Sequence, residues 1–366
     1  MKNNNIRQKT TRFVYIAAVN IFLFAILLLL LNIASGYYLK QGNQHDRSNL
    51  PNYSNERERA RAIFHDYQRV QHDYEPFVGW QAKSYKGSTL TLNEHGERLH
   101  QLPDPTAEKT VHFFGGSTTW GEGSDDQRTI PAIFNTLNPT YKVYNHGQLA
   151  FNSRQNLDAL LSFYANGEKA DVVIFYDGVN DAAFLCPSDI KELPAHRLVA
   201  EYRSQLYQSK GSRMASFMFD IFVSNIFRVI EVKKQQGTSP PSAYNCVTDR
   251  TKARAIAMMM ISNWEMAHDL VEARGGRFIA ILQPSAFTSK TTKEHLKLDK
   301  VLEENFVMVY SELKQLIGKK KHPWIVDLTA SLDHDDYIYI DFCHVSPNGN
   351  ELIAKDIDSV FRMGPK

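Results

Sequence analysis

Five short apolar runs alternating with helix-like stretches constrain what this chain can fold into. The runs are Val111 to Phe114, Lys142 to Asn145, Val172 to Tyr176, Arg277 to Leu282 and Trp324 to Asp327. The helix-like stretches are Thr129 to Leu137, Ser153 to Tyr164, Lys252 to Ala273, Lys293 to Ile317 and Asn348 to Phe361. Strands this short and continuously apolar are buried on both faces, and parallel neighbours need a crossover helix. The pattern predicts an α/β domain with a parallel five-stranded sheet between helical layers. Ligands of such sheets sit beyond the carboxyl ends of the strands.

Around this core the organisation is uneven. Residues 13 to 35 carry no charge and include the run Ile21 to Leu31. As a helix they would cross a hydrocarbon core of about 30 Å. Lys2, Arg7, Lys9 and Arg12 precede them, so residues 1–12 read as a cytoplasmic basic tail and 13–35 as a transmembrane anchor, with the body outside. A cleaved signal peptide is the competing reading, given Ala34, Ser35 and Gly36. Residues 36–105 read as a linker and a small accessory element. Within them Gln41 to Tyr53 is a polar tether, Asn55 to His72 a charged helix, and Phe77 to Leu99 short β pieces. Residues 106–366 form the main domain, interrupted by an insertion at 187–245 that holds the apolar stretch Met214 to Ile230.

Hydrophobic residues at 43% and charged residues at 22% are ordinary for a globular protein. The formal net charge is +2, and the four N-terminal cations leave a near-neutral body without the basic footprint of a nucleic-acid binder. Cys186, Cys246 and Cys343 have no close-spaced metal pattern. In an exported body Cys186 and Cys246 can pair, although three free thiols, or a pair that includes Cys343, fit the spacing as well.

Chemistry concentrates in three segments. Phe113 to Thr119 places Ser117 after a strand and two glycines, which let the backbone turn tightly and expose the hydroxyl. Asp341-Phe342-Cys343-His344 offers a base for that hydroxyl in His344, and a carboxylate in Asp341 to fix the imidazole tautomer. Tyr176 to Asp181 places Asn180 after another strand. Its side-chain amide, with the backbone N–H groups of Ser117 and Gly147, supplies candidate donors for a developing oxyanion. Trp120, His146 and Asp181 lie close enough in sequence to line a substrate pocket, although packing roles suit each of them too. The chain has no Gly-x-Ser-x-Gly, which argues against the α/β-hydrolase arrangement.

In the order Ser117, Gly147, Asn180, His344 these segments resemble the blocks that name the SGNH (GDSL-like) hydrolase family, in its membrane-anchored bacterial type. The resemblance covers Val111 to Phe361 and departs from the Gly-Asp-Ser form at Gly116. It implies a three-layer α/β/α flavodoxin-like fold, a catalytic Ser117–His344–Asp341 set, and no metal or organic cofactor. It also implies a serine esterase removing O-acetyl or other short acyl groups from an extracytoplasmic polysaccharide. The same residues would serve an O-acyltransferase on glycan or a lipase or lysophospholipase, and a non-catalytic glycan-binding protein would keep the fold alone. The expected partners are an acylated glycan or other ester substrate and, through the N-terminal helix, a membrane.

Overall fold

The computed structural model describes residues 2–42, 47–206, 210–234 and 241–364. In chain order the helices are α1 (Lys2–Gly42), α2 (Arg57–Tyr67), α3 (Ser117–Trp120), α4 (Ile130–Leu137), α5 (Ser153–Ala165), α6 (Val179–Leu185), α7 (Arg197–Leu206), α8 (Lys210–Phe222), α9 (Ser224–Lys234), α10 (Arg250–Glu272), α11 (Lys300–Lys320) and α12 (Pro347–Met363). The strands are β1 (His72–Asp73), β2 (Gln81–Ala82), β3 (Tyr85–Lys86), β4 (Thr91–Leu92), β5 (Lys109–Gly115), β6 (Tyr141–Asn145), β7 (Val172–Asp177), β8 (Arg277–Leu282) and β9 (Ile325–Asp327). The chain divides into two compact units: Met1–Asp46 with Gln205–Thr238, and Arg47–Ser204 with Ser239–Lys366.

The larger unit carries the expected sheet. Its five strands are parallel and run in the order β6-β5-β7-β8-β9, the flavodoxin-like order once β5 is counted first. Period-two alternation splits neighbouring residues between two cores. Val173 and Phe175 pack with Leu160, Ile256, Trp264 and Phe306, under α5, α10 and α11. Ile174 and Tyr176 pack with Phe134, Ile353 and Ile357, under α4 and α12. The result is a three-layer α/β/α sandwich.

Local chemistry sets the helix ends. Asn152 and Gln155 form a reciprocal capping box at α5. The Asp299 side chain accepts from the N–H groups of Val301 and Leu302, so α11 starts at Lys300 rather than at Lys293. Lys293 Nζ instead donates to the carbonyls of Ala286 and Ser289, which ties residues 293–298 down as a loop. The accessory segment is also shorter than expected in its helix, and His72 pairs with Ala82 in a two-stranded piece. Arg47 to Tyr53 is not a polar tether: it forms two short 3-10 turns, with Ser48 and Tyr53 buried, and residues 43–46 lie outside the described residues. Cys186 and Cys246 form a disulfide, and Cys343 is a buried free thiol.

The smaller unit contains α1, α8 and α9. The apolar part of α1 runs from Thr11 to Leu39, and by length and composition it is a candidate membrane span. Helices α8 and α9 form a hairpin around Val223, and both pack on α1.

Candidate active site

Ser117 opens α3 directly after β5, at the carboxyl end of a central strand. Both preceding glycines are required by their neighbours. A Cβ at Gly115 would fall 2.0 Å from Thr119 Oγ1, and one at Gly116 would fall 2.3 Å from Asn180 Nδ2. The Asn180 side-chain amide therefore occupies the space that a side chain at Gly116 would need. Arg98, itself buried, holds the turn that follows: its guanidinium donates to the carbonyls of Trp120, Gly121 and Ser124 and pairs with Asp126.

His344 Nε2 lies 2.7 Å from Ser117 Oγ, and its Nδ1 lies 2.7 Å from Asp341 Oδ2. Asp341 Oδ1 accepts from the backbone N–H groups of Cys343 and His344. Burial alone would raise the Asp341 carboxyl, but the charge and hydrogen bond of His344, with those two N–H donors, hold it well below the usual range. Asp341 so accepts a hydrogen bond from Nδ1–H, which keeps the proton on that nitrogen and leaves Nε2 of the neutral ring to accept from the serine hydroxyl. Such a relay can move the Ser117 proton to His344.

Sequence reasoning missed the other side of His344. Glu122 Oε2 stands 3.2 Å from the same Nε2. Arg47 bridges the two carboxylates, 2.6 Å from Glu122 Oε1 and 3.4 Å from Asp341 Oδ2, with its guanidinium over the Phe64 ring. Burial opposes charging His344, yet the Asp341 carboxylate first, and Glu122 after it, raise its pKa well above the ordinary value. A glutamate five residues after the serine, between Gly121 and Gly123, was the one sequence sign available; nothing marked Arg47.

Asn180 Nδ2 donates to Phe151 O at 2.7 Å, and its second N–H remains for a ligand oxygen. Gly147 is a correction. Its N–H already donates to Asn145 Oδ1 at 3.0 Å, and a Cβ there would sit 2.4 Å from Trp120 N, so this glycine is needed for close packing. Three residues on, Ala150 adopts φ 62°, a left-handed conformation costly for a residue with a Cβ.

The three expected pocket residues are also corrected. Trp120 is 1% exposed, held between the Arg98 guanidinium and the Tyr67 edge, so no sugar can stack on it. Asp181 is fully buried and accepts from Ser153 N–H and Oγ–H. Beside it Asp177 accepts from Asn156 and Trp264, and burial raises both carboxyls above the ordinary carboxylate range. His146 bonds Glu97 and His112 and stacks on Phe114. It lines a separate cleft of about 470 Å³ with Tyr144 and Phe163, a cleft whose walls include neither Ser117 nor His344.

Asp341, Cys343 and His344 also present ligand atoms within 4.8 Å of one another. Burial pushes the Cys343 thiol up to about 12, so it stays protonated and is a poor metal ligand, and the other two groups already bond each other.

No known family pattern and no curated protein matches the chain. Among solved structures it is similar to a member of the lipolytic protein G-D-S-L family from Veillonella parvula DSM 2008, at 11% identity and TM-score 0.41, over 69% of this chain and 98% of that one. It is similar too to Est24, a carbohydrate acetylesterase from Sinorhizobium meliloti, at 14% identity and TM-score 0.39, over 70% and 99%. With identities and TM-scores this low, the chemistry of this chain has to be read from its own residues.

Proposed function

We propose that this chain is a serine esterase of the SGNH type. The observation that carries the proposal is the continuous relay from Ser117 Oγ through His344 to Asp341, with 2.7 Å at each link. Ser117 Oγ attacks the ester carbonyl while its proton passes to His344 Nε2. The resulting oxyanion takes hydrogen bonds from the Ser117 N–H and the free N–H of Asn180. Collapse expels the alcohol, which leaves with the proton from His344, and an acyl group stays on Ser117. Water then attacks through the same histidine and releases the acid.

The substrate we propose is an O-acetylated, or otherwise short-acylated, polysaccharide outside the cytoplasm, with the chain anchored through α1 and its N-terminus inside. The cations at the N-terminal end of α1, the 29-residue apolar span and the Cys186–Cys246 disulfide all suit an exported body. The test compares the full chain with Ser117→Ala on a chromogenic acetyl ester and on an O-acetylated polysaccharide, following acetate release. Turnover of both by the parent alone supports the reading. Equal turnover by pure Ser117→Ala removes Ser117 from the mechanism. Activity on the small ester without acetate release from the polysaccharide would leave the esterase and remove the glycan. A reporter fused after Lys366 tests the topology.

A further inference from the structure

We propose that the α8–α9 hairpin is a second membrane-embedded element, entering one leaflet of the bilayer beside α1. The proposal rests on the reading of α1 as a transmembrane anchor.

Among the described residues the hairpin presents an exposed apolar surface. Met214, Phe217, Met218 and Phe219 on α8, and Phe227 and Ile230 on α9, are all exposed, Met214 and Phe217 by about three fifths. Between Met214 and Phe227 the sole ionisable side chain is Asp220. A water-facing helix pair of this composition would be unusual, because apolar patches of this kind mark contact surfaces.

What identifies the occupant is Asn32. It stands directly after the leucine run of α1, where a polar side chain is costly in lipid unless paired. It is 4% exposed, and each of its polar atoms has a partner on the hairpin. Its Nδ2 donates to the carbonyls of Asp220 and Ile221, at the end of α8, and its Oδ1 accepts from the N–H of Asn225, at the start of α9. Asn225 Nδ2 returns a bond to the Asn32 carbonyl. Gly36, one turn on, admits this contact, since a Cβ there would meet Asn225 Nδ2 at 2.9 Å. Helix ends carry unpaired backbone groups that water normally satisfies. Here a residue of the apolar span satisfies them, as a hairpin tip held away from water requires.

Depth follows from length. Asn32 is eight residues before Lys40, so at about 1.5 Å per residue the hairpin tip lies roughly 12 Å inward of that cation. Tyr37 and Tyr38, in between, suit the headgroup boundary. Thirteen residues of α8 reach only about 20 Å, too short to cross, and Asp220 disfavours deeper insertion. The hairpin therefore lies in one leaflet, its apolar side chains among the upper acyl carbons.

The test uses the full chain in phosphatidylcholine vesicles brominated at acyl carbons 6 and 7, or at 11 and 12. The four native tryptophans, Trp80, Trp120, Trp264 and Trp324, all belong to the other unit and set the background. Phe24→Trp reports on α1 and Phe217→Trp on α8. We expect at least a twofold loss of the added fluorescence in both variants, with the shallow bromines acting more strongly on Phe217→Trp. Quenching of Phe24→Trp without any of Phe217→Trp overturns the hairpin proposal and leaves the anchor standing. Quenching of neither removes the anchor and the hairpin proposal with it.

Discussion

Replacing Glu122 by Gln should shift the pH dependence of ester turnover to lower pH. His344 acts as a base only when its ring is neutral, and a carboxylate 3.2 Å from Nε2 favours the protonated ring. Unit charges at that separation interact by about 1.3 kcal/mol even at the dielectric of water, and by about 5 kcal/mol at an effective value near 20. Both side chains are largely buried, which argues against the lower figure, while Arg47 beside Glu122 offsets part of the larger one. Taking the lower figure, Glu122→Gln should increase the ratio of neutral to protonated imidazole about tenfold at a given pH. Loss of the carboxylate also leaves the Arg47 charge near Asp341 uncompensated, which acts in the same direction. The assay is kcat/KM for a chromogenic acetyl ester from pH 5 to 9, with Ser117→Ala as the blank, because this ratio reports the free enzyme. On the acidic limb the variant should run about tenfold faster relative to its own plateau. An unmoved limb, or one displaced upward, would refute the claim that Glu122 acts on the His344 proton.

Three further expectations concern stability and are read by denaturant or thermal unfolding. Arg98→Met should cost about 3 kcal/mol, since it strands three backbone carbonyls and Asp126 around a buried site; a loss within experimental error would show that the turn holds itself. Replacing Cys186 and Cys246 together by Ala should cost about 4 kcal/mol for a bridge across 60 residues in the chain-entropy description, and an unchanged midpoint would count against that origin. The Asp177–Asp181 pair binds protons more tightly when folded, so its contribution is present below the ordinary carboxylate pKa and is lost as pH rises through the raised values of the folded pair. Asp181→Asn, whose amide can donate to Ser153 Oγ, should flatten that decline, and an equally steep decline would place its source elsewhere.

The alternation of apolar runs was enough to place all five sheet strands and the helices α4, α5, α10 and α12, because burial on two faces leaves its period in local sequence. That Ser117, Asp341 and His344 come together was legible for a related reason: each stands at the end of a strand or in a short loop whose neighbours are diagnostic, and the proposed roles of these residues and of Asn180 rest on that placement. Gly147, Trp120, His146 and Asp181 were misjudged because nearness in sequence does not say which way a side chain turns. Trp120 and Asp181 turn inward to Arg98 and Ser153, and His146 faces the cleft at the sheet edge. Tertiary structure alone brought Glu122 to His344, Arg47 to Glu122 and Asp341, and Asn32 to the hairpin tip. Those contacts join residues separated by tens to hundreds of positions. A charge that is paired at such a distance leaves no periodic trace in the sequence, since its partner is fixed by the packing of other elements.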